Sequence, residues 1–303
     1  MKIVYPDSLQ KNDLIGIVCP SGYLPAKEAI SCVQTLESWG YRVRIGKTLG
    51  HQFHYFSGTD TERRDDLQQM LDDPEVKAVF CARGGYGMSR IIDGLDFRKF
   101  RKHPKWLIGY SDITVLHAHI LKKYGIAALH APMATAFQDG GARNEYVQSI
   151  RKVLQGKQIV YQCSSHPMNR KGEAAAILVG GNLTLLAHLT GTGSAPDYTD
   201  KLLFIEDVGE YLYNIDRMFL QLKRAGVLKK LAGLIIGGFT EMKDTKIPFG
   251  SDAYHILQSH ISDTDYPVCF DFPVSHTERN YALVVGGMYR FGVGAKKVTL
   301  QRK

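Results

Sequence analysis

The 303-residue sequence predicts an α/β fold. Two observations carry the prediction. The first half alternates short apolar runs with segments of helical period, and the second half closes on strand-like runs in quick succession. Leu14 to Cys19 is an apolar run ending on Pro-Ser-Gly. AKEAISCVQTLESWG then places Ala26, Ala29, Ile30 and Val33 at helical spacing before a stop at Gly40. Tyr41, Val43 and Ile45 alternate with Arg42 and Arg44 as a second strand. TDTERRDDLQQMLDDP reads as a helix, VKAVFCAR as a third strand and WLIGY as a fourth. This succession calls for a parallel sheet with helices on both faces.

The pattern breaks after His130. The polar, Gly-rich stretch Gln138 to Glu145 and the loop-like CSSHPMNRKGE, Cys163 to Glu173, bracket a linker. Beyond it come AAAILVGG, KLLFIED, LAGLIIGG and PVCFDFP, then YALVVGG, YRFGV and KKVTLQR with little between them. The division expected is an N-terminal α/β domain over 1–140, a linker region over 141–172 and a smaller, β-rich domain over 173–303.

Composition narrows the function classes. With 44% hydrophobic and 22% charged residues the chain is an ordinary globular one. No apolar run approaches the ~18 to 20 residues that cross a bilayer, and MKIVYPDSLQKNDLIG lacks the apolar segment of a signal peptide. No membrane partner and a cytoplasmic location are therefore expected. The net charge of +8 is spread over scattered Lys and Arg with no dense basic block. That pattern argues against nucleic acid and suits an acidic small substrate. The five cysteines are an odd count without a C-x-x-C pair, so reduced thiols are expected, with neither a zinc site nor a disulfide framework. His117 and His119 fall on opposite sides of a helix, so no metal is expected there either.

Ligands of open parallel sheets collect at the carboxyl ends of the strands. The first strand offers Cys19-Pro20-Ser21-Gly22 there, the third Arg83-Gly84-Gly85-Tyr86-Gly87 and the fourth Ser111 and Asp112. KLLFIED ends on Glu206 and Asp207, and PVCFDFP runs into Ser275-His276-Thr277. Ser111 has two readings: a helix N-cap, or a nucleophile on a tight strand-to-helix turn. A serine needs a base to take its proton as it attacks, imidazole does this near neutral pH, and a carboxylate fixes the imidazole tautomer. His276 is one of eleven histidines, and Glu206, Asp207 and Glu210 compete for the acid. The Gly84-Gly85 turn and the amide of Asp112 are candidate oxyanion donors. GGYG lacks the full G-x-G-x-x-G pattern of a nucleotide loop.

YFSGTDTERRDDLQQMLDDPEVKAVFCARGGYG, IGYSDIT, GGNLTLLAHLTGT, LFIEDVGEYLYNIDRM and the Ser-His region near Val274 together resemble the serine L,D-carboxypeptidases. That family includes muramoyltetrapeptide carboxypeptidases and the peptidases that inactivate microcin C. The G-Y-S-D corner departs from G-x-S-x-G, with Ile113 in place of the last glycine, a departure the family shares. The resemblance implies an N-terminal domain similar to class I glutamine amidotransferases and a triad of Ser111, Glu206 and His276. It also implies oxyanion or substrate-binding roles for Gly84, Gly85, Asp112 and Asn182, no cofactor, and a homodimer. The activity implied is release of a C-terminal D-residue, D-alanine above all, from murein tetrapeptide in cell-wall recycling. The alternatives are a microcin C-type peptidase that cleaves a peptidyl or acyl-sulfamoyl nucleotide, and a non-enzymatic small-ligand binder.

Overall fold

A computed structural model describes residues 2–303. The chain forms two compact units, residues 1–157 with 281–284, and residues 158–280 with 285–303.

In the first unit the strands are β1 (Leu14–Val18), β2 (Arg42–Ile45), β3 (Val76–Cys81), β4 (Trp106–Gly109) and β5 (Ala128–His130). They lie in the order β2-β1-β3-β4-β5, with each of these pairs parallel. All five residues of β1 and all four of β4 are buried, because helices cover both faces of the sheet. The helices are α1 (Ile30–Ser38), α2 (Asp60–Asp72), α3 (Met88–Ile91), α4 (Arg98–Lys102), α5 (Thr114–Tyr124) and α6 (Glu145–Leu154). This strand order reverses between β1 and β3, so the loops after those two strands part around a crevice, the usual ligand position in such sheets.

Local chemistry sets the helix ends. Thr59 and Glu62 form a reciprocal capping box at the start of α2. Gly125, at a φ of 64°, ends α5 in the left-handed conformation. Arg63, on α2, has no solvent exposure. Its guanidinium donates to the carbonyls of Pro20 (2.5 Å), Gly58 (3.2 Å) and Gly87 (3.1 Å) and pairs with Asp60. One buried cation thus ties the loops after β1 and β3 to the helix between β2 and β3.

In the second unit β6 (Val160–Ser164), β7 (Gly172–Asn182), β8 (Leu202–Val208), β9 (Gly233–Thr240) and β10 (Val268–Cys269) are joined by β12 (Met288–Val293) and β13 (Lys297–Arg302). The remaining strand, β11 (Leu283–Val285), lies beside β5 at the edge of the first sheet. The second sheet is mixed, in the order β10-β9-β8-β7-β12-β13-β6. Its β7 to β10 half is parallel and its β7, β12, β13, β6 half antiparallel. Helices α7 (Leu183–Leu189), α8 (Leu212–Arg224) and α9 (Ala253–His260) complete it.

Residues 141–172, expected to be a linker, instead hold α6 and β6, and the chain divides at 157/158. Helix α6 buries Val147, Ile150, Val153 and Leu154 on one face and is capped by Asn144. Strand β6 is an edge strand with Val160 exposed and Tyr161 buried; three of its five residues are exposed, and its composition resembles a loop.

Replacing Arg63 by methionine takes the donor from three carbonyls and leaves Asp60 to Arg90 alone, and should cost about 3 to 5 kcal/mol. Thr59→Ala, which loses only the cap, should cost about 1 kcal/mol. Both tryptophans, Trp39 and Trp106, belong to the first unit, so urea unfolding followed by tryptophan fluorescence reads the comparison directly. An Arg63→Met cost no larger than that of Thr59→Ala would show that the buried cation does not hold these loops.

Candidate active site

In the first unit Ser111 follows β4 and opens a 3-10 turn over Ser111–Ile113 that continues into α5. Its φ is +62°, a left-handed backbone that a residue with a Cβ adopts at a cost of about 1 to 3 kcal/mol. The turn and the helix both begin without a side-chain cap, so Ser111 is not the N-cap that a serine at such a corner otherwise suggests.

What surrounds Ser111 is glycine and backbone. A Cβ added at Gly84 would fall 2.9 Å from Ser111 Cβ and 3.2 Å from its Oγ, so only glycine lets that turn approach so closely. Gly85 has a φ of +93°. The N–H groups of Gly84 and Gly85 meet no backbone acceptor among the described residues of this unit. Asp112 is buried, and its Oδ2 accepts from the Ser21 hydroxyl (2.6 Å) and the Met88 N–H (2.7 Å). Its carboxylate therefore joins the β1 and β3 loops to the serine turn. Ser111, Asp112, Gly84 and Gly85 come together at the carboxyl ends of β3 and β4.

In the second unit Glu206 lies on β8 with no exposure. Its Oε2 is 2.5 Å from Nδ1 of His276, in the segment after β10. Two glycines of β9 make this possible. A Cβ on Gly237 would meet the Val274 carbonyl at 2.1 Å, and one on Gly238 would meet Ser275 Cβ at 2.5 Å. Gly238 N–H also donates to Val274 O at 2.9 Å. A turn closed by Ser275 and Thr277, whose hydroxyls are 2.7 Å apart, flanks the histidine.

Of the three candidate carboxylates, Glu206 is the one hydrogen-bonded to His276. Successive side chains of a strand point to opposite faces, and Asp207 faces away from His276. Asp207 accepts from Asn182 Nδ2 (2.9 Å), from the Thr184 N–H and hydroxyl (2.9 and 2.8 Å) and from the Val208 N–H (2.9 Å). Glu210 accepts from Asn214 Nδ2 at 3.0 Å. Asn182 also caps α7, its Oδ1 accepting from the Leu185 N–H. Both ends of its amide are thus engaged in placing Asp207 and the helix.

Electrostatics follow from this placement. Burial pulls the His276 imidazole down, but the charge and hydrogen bond of Glu206, reinforced by Asp207 and Glu241, outweigh it and raise its pKa above the ordinary 6.5. Burial and the adjacent Glu206 push the Asp207 carboxyl up to about 6, against the hydrogen bonds from Thr184, Asn182 and Val208. With Nδ1 directed at a carboxylate, Nε2 is the nitrogen left to act as a base. Among the described residues no group of three or more His, Cys, Asp or Glu is arranged to hold a metal ion. No helix among them is long and apolar enough to cross a membrane.

Sequence reasoning did not reach the supports. The Gly237-Gly238 pair inside an apolar strand was the available signal for a close backbone approach. Nothing in the sequence pointed to Arg63 as a buried anchor, since it sits in a run of charged residues.

Known proteins share this sequence and fold. The profile of the LD-carboxypeptidase N-terminal domain matches residues 15–131, and that of the C-terminal domain matches residues 175–291. A probable murein peptide carboxypeptidase of Bacillus subtilis is 35% identical over 301 residues, covering 98% of this chain and 94% of the relative. The microcin C7 self-immunity protein of Escherichia coli is 26% identical, covering 84% of this chain and 82% of the relative. A crystal structure of muramoyltetrapeptide carboxypeptidase from Oxalobacter formigenes superposes with a TM-score of 0.85 at 32% identity, covering 95% of this chain and 98% of that one. A chain matched in both its domains, at this identity over nearly its whole length, belongs to the LD-carboxypeptidase family.

Proposed function

We propose that this protein is a serine L,D-carboxypeptidase that releases a C-terminal D-amino acid, D-alanine in the first place, from murein tetrapeptide. The observation that carries the reading is the left-handed Ser111 on a strand-to-helix turn, packed against a glycine turn and capping nothing.

In this reading Ser111 Oγ attacks the carbonyl of the bond before the D-residue while His276 Nε2 takes its proton. Glu206 holds the imidazole tautomer and stabilises the imidazolium. Backbone N–H groups of the Gly84-Gly85 turn and of Asp112 receive the oxyanion. The imidazolium returns the proton to the leaving amine, and water, deprotonated by the same histidine, releases the acyl group from the serine. Asn182 acts through Asp207, which it holds beside Glu206. The serine turn at the end of a parallel strand also supports the likeness of the first unit to class I glutamine amidotransferases. The homodimer stands on the family resemblance.

A second reading, hydrolysis of a peptidyl or acyl-sulfamoyl nucleotide, draws on exposed aromatic residues in the unit that holds Ser111. Phe53, Tyr55 and Tyr86 are 45%, 55% and 50% exposed, and Tyr55 leans on Gly85. Incubation with each substrate class, followed by mass spectrometry, separates the readings: loss of alanine from tetrapeptide supports the first, and nucleotide release alone supports the second.

Ser111→Ala should stay folded and lose almost all D-alanine release, since the covalent route is gone. Retention of more than about a tenth of the rate would remove Ser111 from the nucleophile role.

The acid is tested by a pH profile. His276 must be neutral to act, so kcat/KM should rise as pH increases through its raised pKa. Glu206→Gln removes the charge that raises it, so the midpoint should move to lower pH while kcat falls about a hundredfold or more. Asp207→Asn and Glu210→Gln should cost far less. An unmoved midpoint in Glu206→Gln would contradict the assignment.

A further inference from the structure

A carboxypeptidase must tell a chain end from an internal residue, and the end differs by one negative charge next to the scissile bond. A single residue spans at most about 3.6 Å, so the group that reads this charge has to stand on the immediate rim of the nucleophile. Arg83 meets that condition. It is bonded to Gly84, the residue whose Cβ position touches Ser111.

Three features converge at Gly22, in the loop after β1. Its N–H donates to the Gly84 carbonyl at 2.9 Å. A Cβ added at Gly22 would lie 2.9 Å from Gly84 O, 3.7 Å from Arg83 Nε and 3.8 Å from Tyr55 Cε1. The guanidinium and the phenol ring therefore flank one small opening, kept clear by the absence of a side chain. The Tyr55 hydroxyl turns toward the neighbouring glycine, 2.8 Å from where a Cβ on Gly85 would stand.

Neither side chain is consumed by the fold. Arg83 is exposed and shares no hydrogen bond or ion pair with another described residue of its unit. Arg63, Arg64, Arg90 and Arg98 are each paired with an aspartate. Tyr55 is 55% exposed, yet its backbone is fixed: Phe53 and Phe56 exchange hydrogen bonds of 2.9 and 3.0 Å around it, and its carbonyl accepts from the Tyr23 N–H at 3.0 Å. An unpaired guanidinium and a hydroxyl on a fixed turn make a fork with a third donor, which matches a carboxylate.

We propose that Arg83, assisted by the Tyr55 hydroxyl, binds the C-terminal carboxylate of the peptide substrate and so restricts cleavage to the last residue. The inference rests on the carboxypeptidase reading above and names its specificity determinant. Arginine in this role supplies charge and geometry together, whereas lysine supplies charge alone.

The test measures kcat/KM on two murein tetrapeptides, one ending in free D-alanine and one in D-alaninamide. Wild type should prefer the free acid. Arg83→Gln should lower kcat/KM on the acid by about 10- to 100-fold, mostly through KM, and collapse the acid-to-amide preference. Arg83→Lys should restore part of that preference, and Tyr55→Phe should reduce it by a smaller factor. An Arg83→Gln enzyme that keeps the wild-type preference, or a wild type without one, overturns the inference and leaves the peptidase reading intact. A wild type that releases no D-alanine from either peptide overturns the reading itself.

Discussion

The first unit is organised around one unfavourable backbone conformation, the positive φ of Ser111. Such a residue persists only where its surroundings leave it no alternative. Here the parallel sheet delivers β4 into the turn, and α5 carries the chain away. Gly84 occupies the space that would otherwise relieve the corner. The Asp112 carboxylate fixes Ser21 and Met88, and Arg63 fixes Pro20 and Gly87, so the three loops around the serine are held by buried polar bonds. Each of these contacts is interior and charged or charge-assisted, which is how strain is retained at a site rather than spread along the chain.

The second unit solves a different problem, that of keeping two adjacent carboxylates buried. Glu206 and Asp207 are neighbours on one strand with 0% and 2% exposure. Strand alternation separates them onto opposite faces, where each meets its own partner. Asp207 is surrounded by hydroxyl, amide and backbone donors, while Glu206 meets the imidazole. The arrangement raises the His276 pKa and fixes the imidazole through its Nδ1. The glycines of β9 bring the histidine segment close enough for the contact, so a feature of the backbone governs the electrostatics.

Much of this was legible in the sequence, and the limits have physical reasons. The strands and helices of the first half follow from apolar runs and helical spacing, because a parallel sheet buried on both faces leaves an unambiguous trace. The serine corner, the glycine turn and the Glu-His strand ends were visible as residue types at strand ends, but Ser111 reads equally as a cap until its φ is known. Three acids were equivalent by spacing; the alternation of side chains along β8 separates Glu206 from Asp207, and Glu210, beyond the strand, bonds Asn214 instead. Helix α6 and strand β6 were missed for different reasons. The helix carries its signal in Val147, Ile150 and Val153, behind a Gly-rich stretch that drew attention to itself. The strand is a half-exposed edge whose apolar content is too low to distinguish from a loop. Arg63 and Arg83 illustrate a further limit: Arg63 lies in a charged run and Arg83 between an apolar strand and a glycine turn, yet the first proves buried and bonded and the second exposed and unpaired within its unit.

The central claim is that Ser111 is a nucleophile activated by this setting. A fluorophosphonate that reacts only with activated serines, followed by tryptic mapping of the adduct, tests it most directly. The account predicts a single adduct, on Ser111, that forms faster as pH rises through the His276 pKa and is lost in a His276→Ala variant. An adduct on another serine, or an unreactive protein that nonetheless cleaves tetrapeptide, would contradict it.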